Sequence, residues 1–238
     1  MRVLALDTTT RAGSVAIVDD ARLIVERAGD GSRSHAERLP KELLDALADA
    51  SLSSGEIDLF AVASGPGSFT GLRIGIATIQ GLAFVHQRRV APVSALRALA
   101  EVAARSLDAG SRVAAWMDAH RRDVFSALYE VRAPAGSGVA RLEEIEGPSV
   151  DAPDATLTRW QRAGVVPQII CGDGAVMYAA QLPPDVAVVP PVPLAATIAV
   201  LARQLFEGGE TVDPAGVQPL YVRRPDAEIA RDAARLAR

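Results

Sequence analysis

The chain has 238 residues, a length that suits one large domain or two smaller ones, and its 49% hydrophobic and 23% charged residues are typical of a globular protein. The formal net charge is -4 and the basic residues are scattered, which argues against a protein that holds nucleic acid unaided. Lys41 is the single lysine, so enzymes that need a phosphate-loop lysine or a lysine Schiff base are disfavoured as well.

Compartment and redox state can also be predicted from the composition. No apolar run reaches the roughly 18 to 20 residues that cross a bilayer, and the first strand-like stretch has no basic leader. We therefore expect a cytoplasmic protein with no membrane segment. The single cysteine, Cys171, allows no internal disulfide, and its apolar neighbours predict a buried strand residue.

The first half of the chain predicts a three-stranded meander followed by alternating helices and strands. In chain order the predicted elements are strands 2–7, 14–18 and 22–27, a helix near 35–50, strand 59–64, a helix over 70–85, strand 90–93 and a helix that Ser94 caps. In the first helix, Ser32 or Ser34 is the expected cap. Four leucines are predicted to face the core from this helix: Leu39, Leu43, Leu44 and Leu47.

The second half repeats this plan, which indicates a duplicated chain. Its predicted elements are strands 113–118 and 124–131, a third strand around 142–145, a helix near 155–163, strand 168–171, a helix from Ala175 and a helix near 194–207. The repeat predicts an N-terminal lobe over 1–106 and a C-terminal lobe over 107–225. A charged tail, 226–238, could form a short helix.

Two β-β-β-α-β-α units, each with an aspartate at the end of its first strand, resemble the two-lobed α/β fold of actin, Hsp70 and sugar kinases (the ASKHA fold). That resemblance implies an ATP site between the lobes, with phosphates held by glycine-rich turns. Here the turn after Asp7 has no glycine before Gly13, and the turn after Asp118 has none over residues 119–123. We therefore interpret Asp7, Thr8, Thr9 and Asp118 as a degenerate nucleotide site. For Asp7, an Asx turn and metal binding both remain open.

The segment from Gly65 to Gly75 is the most informative motif. It lacks the Gly-Lys-Ser/Thr of a Walker A loop and the Gly-x-Ser-x-Gly of a nucleophile elbow. Its pattern predicts a helix start capped by Ser68 or Thr70, with Gly71 and Gly75 one turn apart on a flat face. Two occupants of that face remain open: a helix of another protein, or this chain's own sheet.

Together with Ala77-Thr78 and Gly81-Leu82-Ala83, this segment resembles the signature of the TsaB (YeaZ) family. Four further stretches share the resemblance: 4–9, 35–39, 117–119 and 219–223. The resemblance implies a non-catalytic subunit that forms a heterodimer with a TsaD-type catalytic subunit through its first-lobe helices. It also implies transient association with a TsaE-type ATPase. The product of that system is N6-threonylcarbamoyladenosine next to the tRNA anticodon, and tRNA is met only through the complex.

The predicted interface lies at the start of the second helix. Its predicted residues are Gly65, Pro66, Gly67, Ser68, Phe69, Thr70, Gly71, Leu72, Arg73, Gly75, Ile76 and Ile79. On this hypothesis, Gly75→Leu or Ile76→Asp blocks assembly while the isolated chain stays folded. A homodimer is expected when the partner is absent, and a homodimeric regulator acting alone is a further hypothesis.

The chemistry of an enzyme is hard to find in this sequence. The three histidines, His35, His86 and His120, form no His-x-x-x-His pair, and we predict no metal site, catalytic residue or cofactor beyond weak adenine nucleotide binding in the inter-lobe groove or at the subunit interface. The alternative function is a small ATP-dependent phosphotransferase or ATPase of the same fold. Contacts of Arg223 and Arg224 with tRNA remain open.

Overall fold

The computed structural model describes residues 1–20, 22–133 and 141–223. Arg224 and the charged tail predicted at 226–238 lie outside the described residues. Within them, the chain forms two five-stranded sheets and six α-helices. No helix of these described ranges is both long enough and apolar enough to span a bilayer.

The first sheet contains the predicted meander and two parallel strands. Its strands are β1 (Arg2–Asp7), β2 (Ser14–Asp19), β3 (Arg22–Ala28), β4 (Leu59–Gly65) and β5 (Val90–Ser94). Their spatial order is β3-β2-β1-β4-β5, antiparallel from β3 to β1 and parallel from β1 to β5. The strand β4 is buried along its whole length, as its continuous apolar run predicts.

The second sheet has the same topology. Its strands are β6 (Arg112–Asp118), β7 (Val124–Arg132), β8 (Arg141–Asp151), β9 (Ile169–Cys171) and β10 (Ala187–Val189), in the order β8-β7-β6-β9-β10. The predicted duplicated actin-like α/β fold is thereby confirmed. Among the differences from the prediction, β8 runs on to Asp151 and α5 begins at Asp173. The strand β10 was not predicted, because its three residues lie between the proline pairs at 183–184 and 190–191, which indicate loop.

Helices cover both sheets in layers. They are α1 (His35–Asp49), α2 (Phe69–Val85), α3 (Ala95–Ala104), α4 (Pro153–Arg162), α5 (Asp173–Met177) and α6 (Ala195–Glu207). The helices α1 and α2 pack on the outer face of the first sheet, and α4 and α5 on that of the second. The helices α3 and α6 lie between the sheets in one central core.

The helix α6 packs outside the lobe in which its sequence position places it. Although α6 belongs by sequence to 107–225, it packs mainly on β1 and β2 of the first sheet. Ser14 Oγ accepts hydrogen bonds from the amides of Leu194 (3.2 Å) and Ala195 (3.0 Å) at the start of this helix. Conversely, α3 packs against β6 of the second sheet. The linear repeat therefore does not coincide with the spatial lobes, because the last helix of each unit crosses to the interface.

The helix α1 follows its predicted cap but not all of its predicted face. Ser34 is the N-cap, and its amide donates to Glu37 Oε2 at 2.9 Å. Leu39, Leu43 and Leu47 are buried, whereas Leu44 is 67% exposed, so its prediction as a core residue is wrong. Leu43 and Leu44 are about 100° apart around a helix, and the sheet lies on the side of Leu43. Cys171 is fully buried, as predicted.

Candidate functional site

A groove of about 1110 Å³ lies between the two lobes. Its walls are the turn after β1, the starts of α1 and α2, the turn after β6, and the C-terminal stretch from Leu220 to Arg223. Asp118 and Asp173 line the groove, whereas Asp7 is buried beneath its surface. Of the four residues predicted as a degenerate nucleotide site, Thr9 and Asp118 line this groove, whereas Asp7 and Thr8 are buried.

The two strand-ending aspartates both bind their own turns. The carboxylate of Asp7 accepts hydrogen bonds from the Thr9 amide at 2.8 Å and the Thr9 hydroxyl at 2.6 Å. Asp118 Oδ1 accepts from the His120 amide at 2.8 Å, with the same spacing of two residues. Burial raises the pKa of the Asp7 carboxyl above its ordinary value. Of the two alternatives left open for Asp7, the structure therefore contains the Asx turn.

The first turn is held from the side by α1. Arg38, almost fully buried, donates to the carbonyl oxygen of Arg11 at 3.0 Å and to that of Ala12. It also donates to His35 Nδ1 at 2.9 Å. Because a guanidinium has no acceptor, Nδ1 of His35 must be unprotonated, and Nε2 donates to the Thr10 carbonyl at 2.9 Å. The carbonyls of this turn are thus already bound within the chain.

Neither Arg38 nor the role of His35 follows from sequence patterns, because both depend on where the turn lies against α1. The one available signal is their i, i+3 spacing, which places them on the same side of the helix. His35 begins α1, in agreement with the helix predicted near 35–50. Its second function, bracing the turn, emerges from the fold.

His35 gives the fold a specific pH dependence. Burial, assisted by the nearby Arg38 cation, lowers the pKa of His35 below its ordinary 6.5. The unfolded chain therefore takes up the proton first, so this contribution to stability is complete above about pH 6.5 and is lost as the pH falls through the lower folded pKa. We expect urea unfolding to give a smaller free energy at pH 5.5 than at pH 7.5, and a smaller difference in His35→Gln.

The control for this measurement is His120→Gln, since the His120 side chain is 83% exposed. The pH difference in the free energy of unfolding should be reduced more in His35→Gln than in this variant. Identical pH dependences in all three proteins would show that His35 does not titrate in the way its surroundings imply.

The turn after β6 has an uncommon backbone. His120, Arg121 and Arg122 have φ values of 58°, 57° and 69°, in the left-handed region that costs a non-glycine residue about 1 to 2 kcal/mol. Backbone hydrogen bonds close the turn on itself: the Asp123 amide donates to the His120 carbonyl at 3.0 Å, and the Ala119 amide to the Asp123 carbonyl at 3.1 Å. The turn is compact and differs from the open glycine loop that cradles a phosphate.

The glycine face of α2 packs against this chain itself. Ser68 caps the helix by accepting from the Gly71 amide at 3.2 Å. A Cβ atom on Gly71 would lie 2.1 Å from the Thr8 carbonyl oxygen, and one on Gly75 would lie 2.1 Å from Thr8 Oγ1. The flat face is therefore filled by the chain's own turn after β1, which is neither a helix of another protein nor the sheet itself.

This packing corrects part of the predicted interface. Leu72, Ile76 and Ile79 are buried in the core of the first lobe, and Gly71 and Gly75 are buried against Thr8. Gly65 and Pro66 are buried as well. Because these side chains are buried, we now expect Gly75→Leu and Ile76→Asp to destabilise the isolated chain itself as well as to block assembly.

The opposite face of α2 is exposed and almost entirely apolar. Phe84 is 77% and Val85 72% exposed at its C-terminal end. Small residues, Ala77 and Gly81, occupy the middle of this face. The residues we call the outer face of α2 are Phe69, Thr70, Arg73, Ala77, Gly81, Phe84 and Val85. Arg73 is the one charged residue in the 17 residues of the helix.

An aromatic and cationic cluster lies at the N-terminal end of this face. The guanidinium carbon of Arg73 lies 3.9 Å from the centre of the Phe69 ring, and Arg73 Nε donates to the Tyr221 hydroxyl at 3.1 Å. The rings of Phe69 and Tyr221 are 5.3 Å apart. This cluster joins the outer face of α2 to the C-terminal segment.

Across the described ranges, no three His, Cys, Asp or Glu side chains converge in a way that could hold a metal ion. Each of the three histidines has a different bonding partner. His86 Nε2 lies 2.9 Å from Ser54 Oγ, and His120 Nδ1 lies 3.0 Å from Asp118 Oδ2. The remaining histidine, His35, braces the first turn.

Comparisons with known proteins give a consistent result. A family model described as TsaD, tRNA N6-adenosine threonylcarbamoyltransferase, matches residues 29–177. The tRNA threonylcarbamoyladenosine biosynthesis protein TsaB of Escherichia coli (strain K12) is 30% identical over 240 residues, covering 94% of this chain and 95% of that protein. TsaB of Haemophilus influenzae is 39% identical over 127 residues, or 52% of each chain. The structure of YeaZ from Pseudomonas aeruginosa matches with a TM-score of 0.76 at 33% identity, covering 92% of this chain and 99% of that one.

Proposed function

We propose that this chain, which belongs to the TsaB family of tRNA threonylcarbamoyladenosine biosynthesis proteins, is the non-catalytic subunit of the complex that forms N6-threonylcarbamoyladenosine beside the tRNA anticodon. In this proposal it binds and stabilises a TsaD-type catalytic subunit. It works in the cytoplasm, associates transiently with a TsaE-type ATPase, and meets tRNA only within the complex. The exposed outer face of α2 is the observation that carries the proposal.

A helix that is apolar on both sides is normally covered on both. The inner side of α2 packs on the first sheet, but its outer side leaves large apolar groups such as Phe84 in solvent. Ala77 and Gly81 in the middle of that side have almost no side-chain bulk, so the backbone of a partner helix can approach closely. A helical surface on a TsaD-type subunit is the occupant that this shape favours.

The proposed interface is accordingly revised from the predicted one. Ser68, Phe69, Thr70 and Arg73 are exposed and remain in it. Ala77, Gly81, Phe84 and Val85 replace the buried residues. The cluster of Phe69, Arg73 and Tyr221 supports this choice, because aromatic residues and arginine are enriched where interfaces gain most of their affinity.

The groove supports a non-catalytic role. The Asp7 carboxylate is buried and occupied by Thr9, and the carbonyls after it are bound by Arg38 and His35. Neither turn offers the glycine-lined amides that hold a transferred phosphate. We therefore assign the chain's contribution to assembly, with its apolar helix face as the contributing group.

Light scattering on size-exclusion chromatography tests this proposal. The chain alone should elute as a homodimer formed through the outer face of α2, and should shift to a one-to-one heterodimer when the TsaD-type subunit of the same organism is added. Absence of a heterodimer, even with a TsaE-type ATPase and nucleotide present, would contradict it.

A further inference from the structure

Residues 217–223 form a segment of which the proposed function uses one side chain, that of Tyr221. The chain reaches it after pairing with the first sheet, where the amides of Val90 and Val212 each donate to the other residue's carbonyl at 2.9 Å. Gln80 of α2 then donates to the Pro214 carbonyl at 2.8 Å. Val217 is buried in the core beneath α2. The segment therefore starts firmly attached to the first lobe.

The middle of the segment is attached to the end of β4. The Leu220 amide donates to the Ser64 carbonyl at 2.7 Å. The Leu220 carbonyl passes so close to Gly65 that a Cβ atom there would be 2.9 Å away, and Gly65 has a φ of +118° that L side chains rarely adopt. Val222 packs against the central core between the sheets. The end of β4 therefore fixes the position of Leu220 through a hydrogen bond and through the close backbone approach at Gly65.

The end of the segment is attached to the second lobe. Arg223 donates to the Ala119 carbonyl and forms an ion pair with Asp123. These two residues flank the left-handed turn of His120, Arg121 and Arg122. The side chains of Arg223 and Asp123 are 21% and 32% exposed, so solvent screens this pair less than a surface pair. A guanidinium that binds a carbonyl and a carboxylate together also fixes their orientation.

We propose that residues 217–223 form a clamp that holds the two lobes together along one wall of the groove and thereby sets its width. Within this segment, Leu220 binds β4, Tyr221 binds α2, and Arg223 binds the turn after β6. Residues 220–223 line the groove between these attachments. The lobes can separate at this wall only if Arg223 leaves its turn or Leu220 leaves β4. This inference is independent of the partner subunit.

Arg223→Gln in the isolated chain tests the clamp. Hydrogen exchange should show the Leu220 amide exchanging at least about tenfold faster, because the segment has lost its second attachment. Spin labels at Arg33→Cys and Met177→Cys, one on each lobe and neither in the clamp nor bonded to it, should give a broader and longer distance distribution. Cys171 is buried and will not take the label.

Arg112→Gln is the matched control. Arg112 also binds one carbonyl, that of Gly164 at 3.2 Å, and one carboxylate, that of Glu130 at 3.5 Å, but entirely within the second lobe. The Arg112→Gln variant should change neither the exchange rate of the Leu220 amide nor the inter-lobe distance. Should Arg223→Gln fail to fold, Arg223→Lys keeps the positive charge but loses the planar guanidinium that binds two acceptors at once. It should give smaller increases in Leu220 exchange and in the inter-lobe distance. An unchanged inter-lobe distance in a folded Arg223 variant, or an equal change in Arg112→Gln, would overturn the clamp.

Discussion

Replacing Gly71 by alanine should lower the free energy of unfolding by about 2 to 3 kcal/mol, the upper part of the range for overpacking a close contact. The added Cβ atom would lie 2.1 Å from the Thr8 carbonyl oxygen. Because that oxygen belongs to the backbone, it cannot rotate away, and α2 must move off the turn that it packs against. Thermal and urea denaturation measure the effect, with an expected fall in Tm of about 4 to 12 °C for a chain of this size.

Gly81→Ala is the control on the same helix. A Cβ atom at Gly81 meets nothing within 4 Å. Alanine there should therefore stabilise the protein by up to about 1 kcal/mol through helix propensity alone. Equal stability of Gly71→Ala and Gly81→Ala would show that Gly71 does not pack directly against the Thr8 carbonyl.

Replacing Ala77 by arginine should abolish the heterodimer while the isolated chain stays folded. Ala77 is exposed in the middle of the outer face of α2, and arginine is a good helix former, so the helix itself should be unaffected. In a complex, the long charged side chain would hold two apolar helix surfaces apart. We expect the dissociation constant for the TsaD-type subunit to rise at least about 100-fold, equivalent to about 2.8 kcal/mol.

Met177→Arg provides the comparison for that experiment. Met177 is an exposed apolar residue on a helix of the second lobe, remote in sequence from the proposed interface. Its substitution adds the same side chain at a different surface and should leave the affinity unchanged. Calorimetric titration of the partner into each variant measures both constants, and wild-type affinity in Ala77→Arg would refute the assignment of this face.

Features that depend on a few neighbouring residues could be predicted from the sequence. The strand β1 ends at Asp7, as its apolar run and the polar turn after it indicate. Ser94 caps α3 by accepting from the Arg97 amide, and the glycine turn after β4 leads into α2 as expected. In each case the determining contacts lie within three or four residues along the chain, so the signal is local.

The orientation of α2 could not be predicted in the same way. With Arg73 as its one charged residue, the helix is apolar on both sides, and periodicity cannot show which side meets the sheet. The close approach of Thr8 to Gly71 and Gly75 decides the matter, and that contact joins residues more than 60 positions apart. The buried Arg38 presents the same difficulty, because its acceptors are carbonyl oxygens that any residue could supply.

The exchange of α3 and α6 between the sheets has a consequence for biosynthesis. The inner faces of β1 and β2 are covered by α6, although Ser14 of β2 precedes Ala195 at the start of this helix by 181 residues. A ribosome therefore completes the first sheet long before it supplies that cover. Until α6 is made, apolar residues such as Val3 and Ala16 on the inner face of the first sheet lack their cover, so a chain truncated before Ala195 should aggregate.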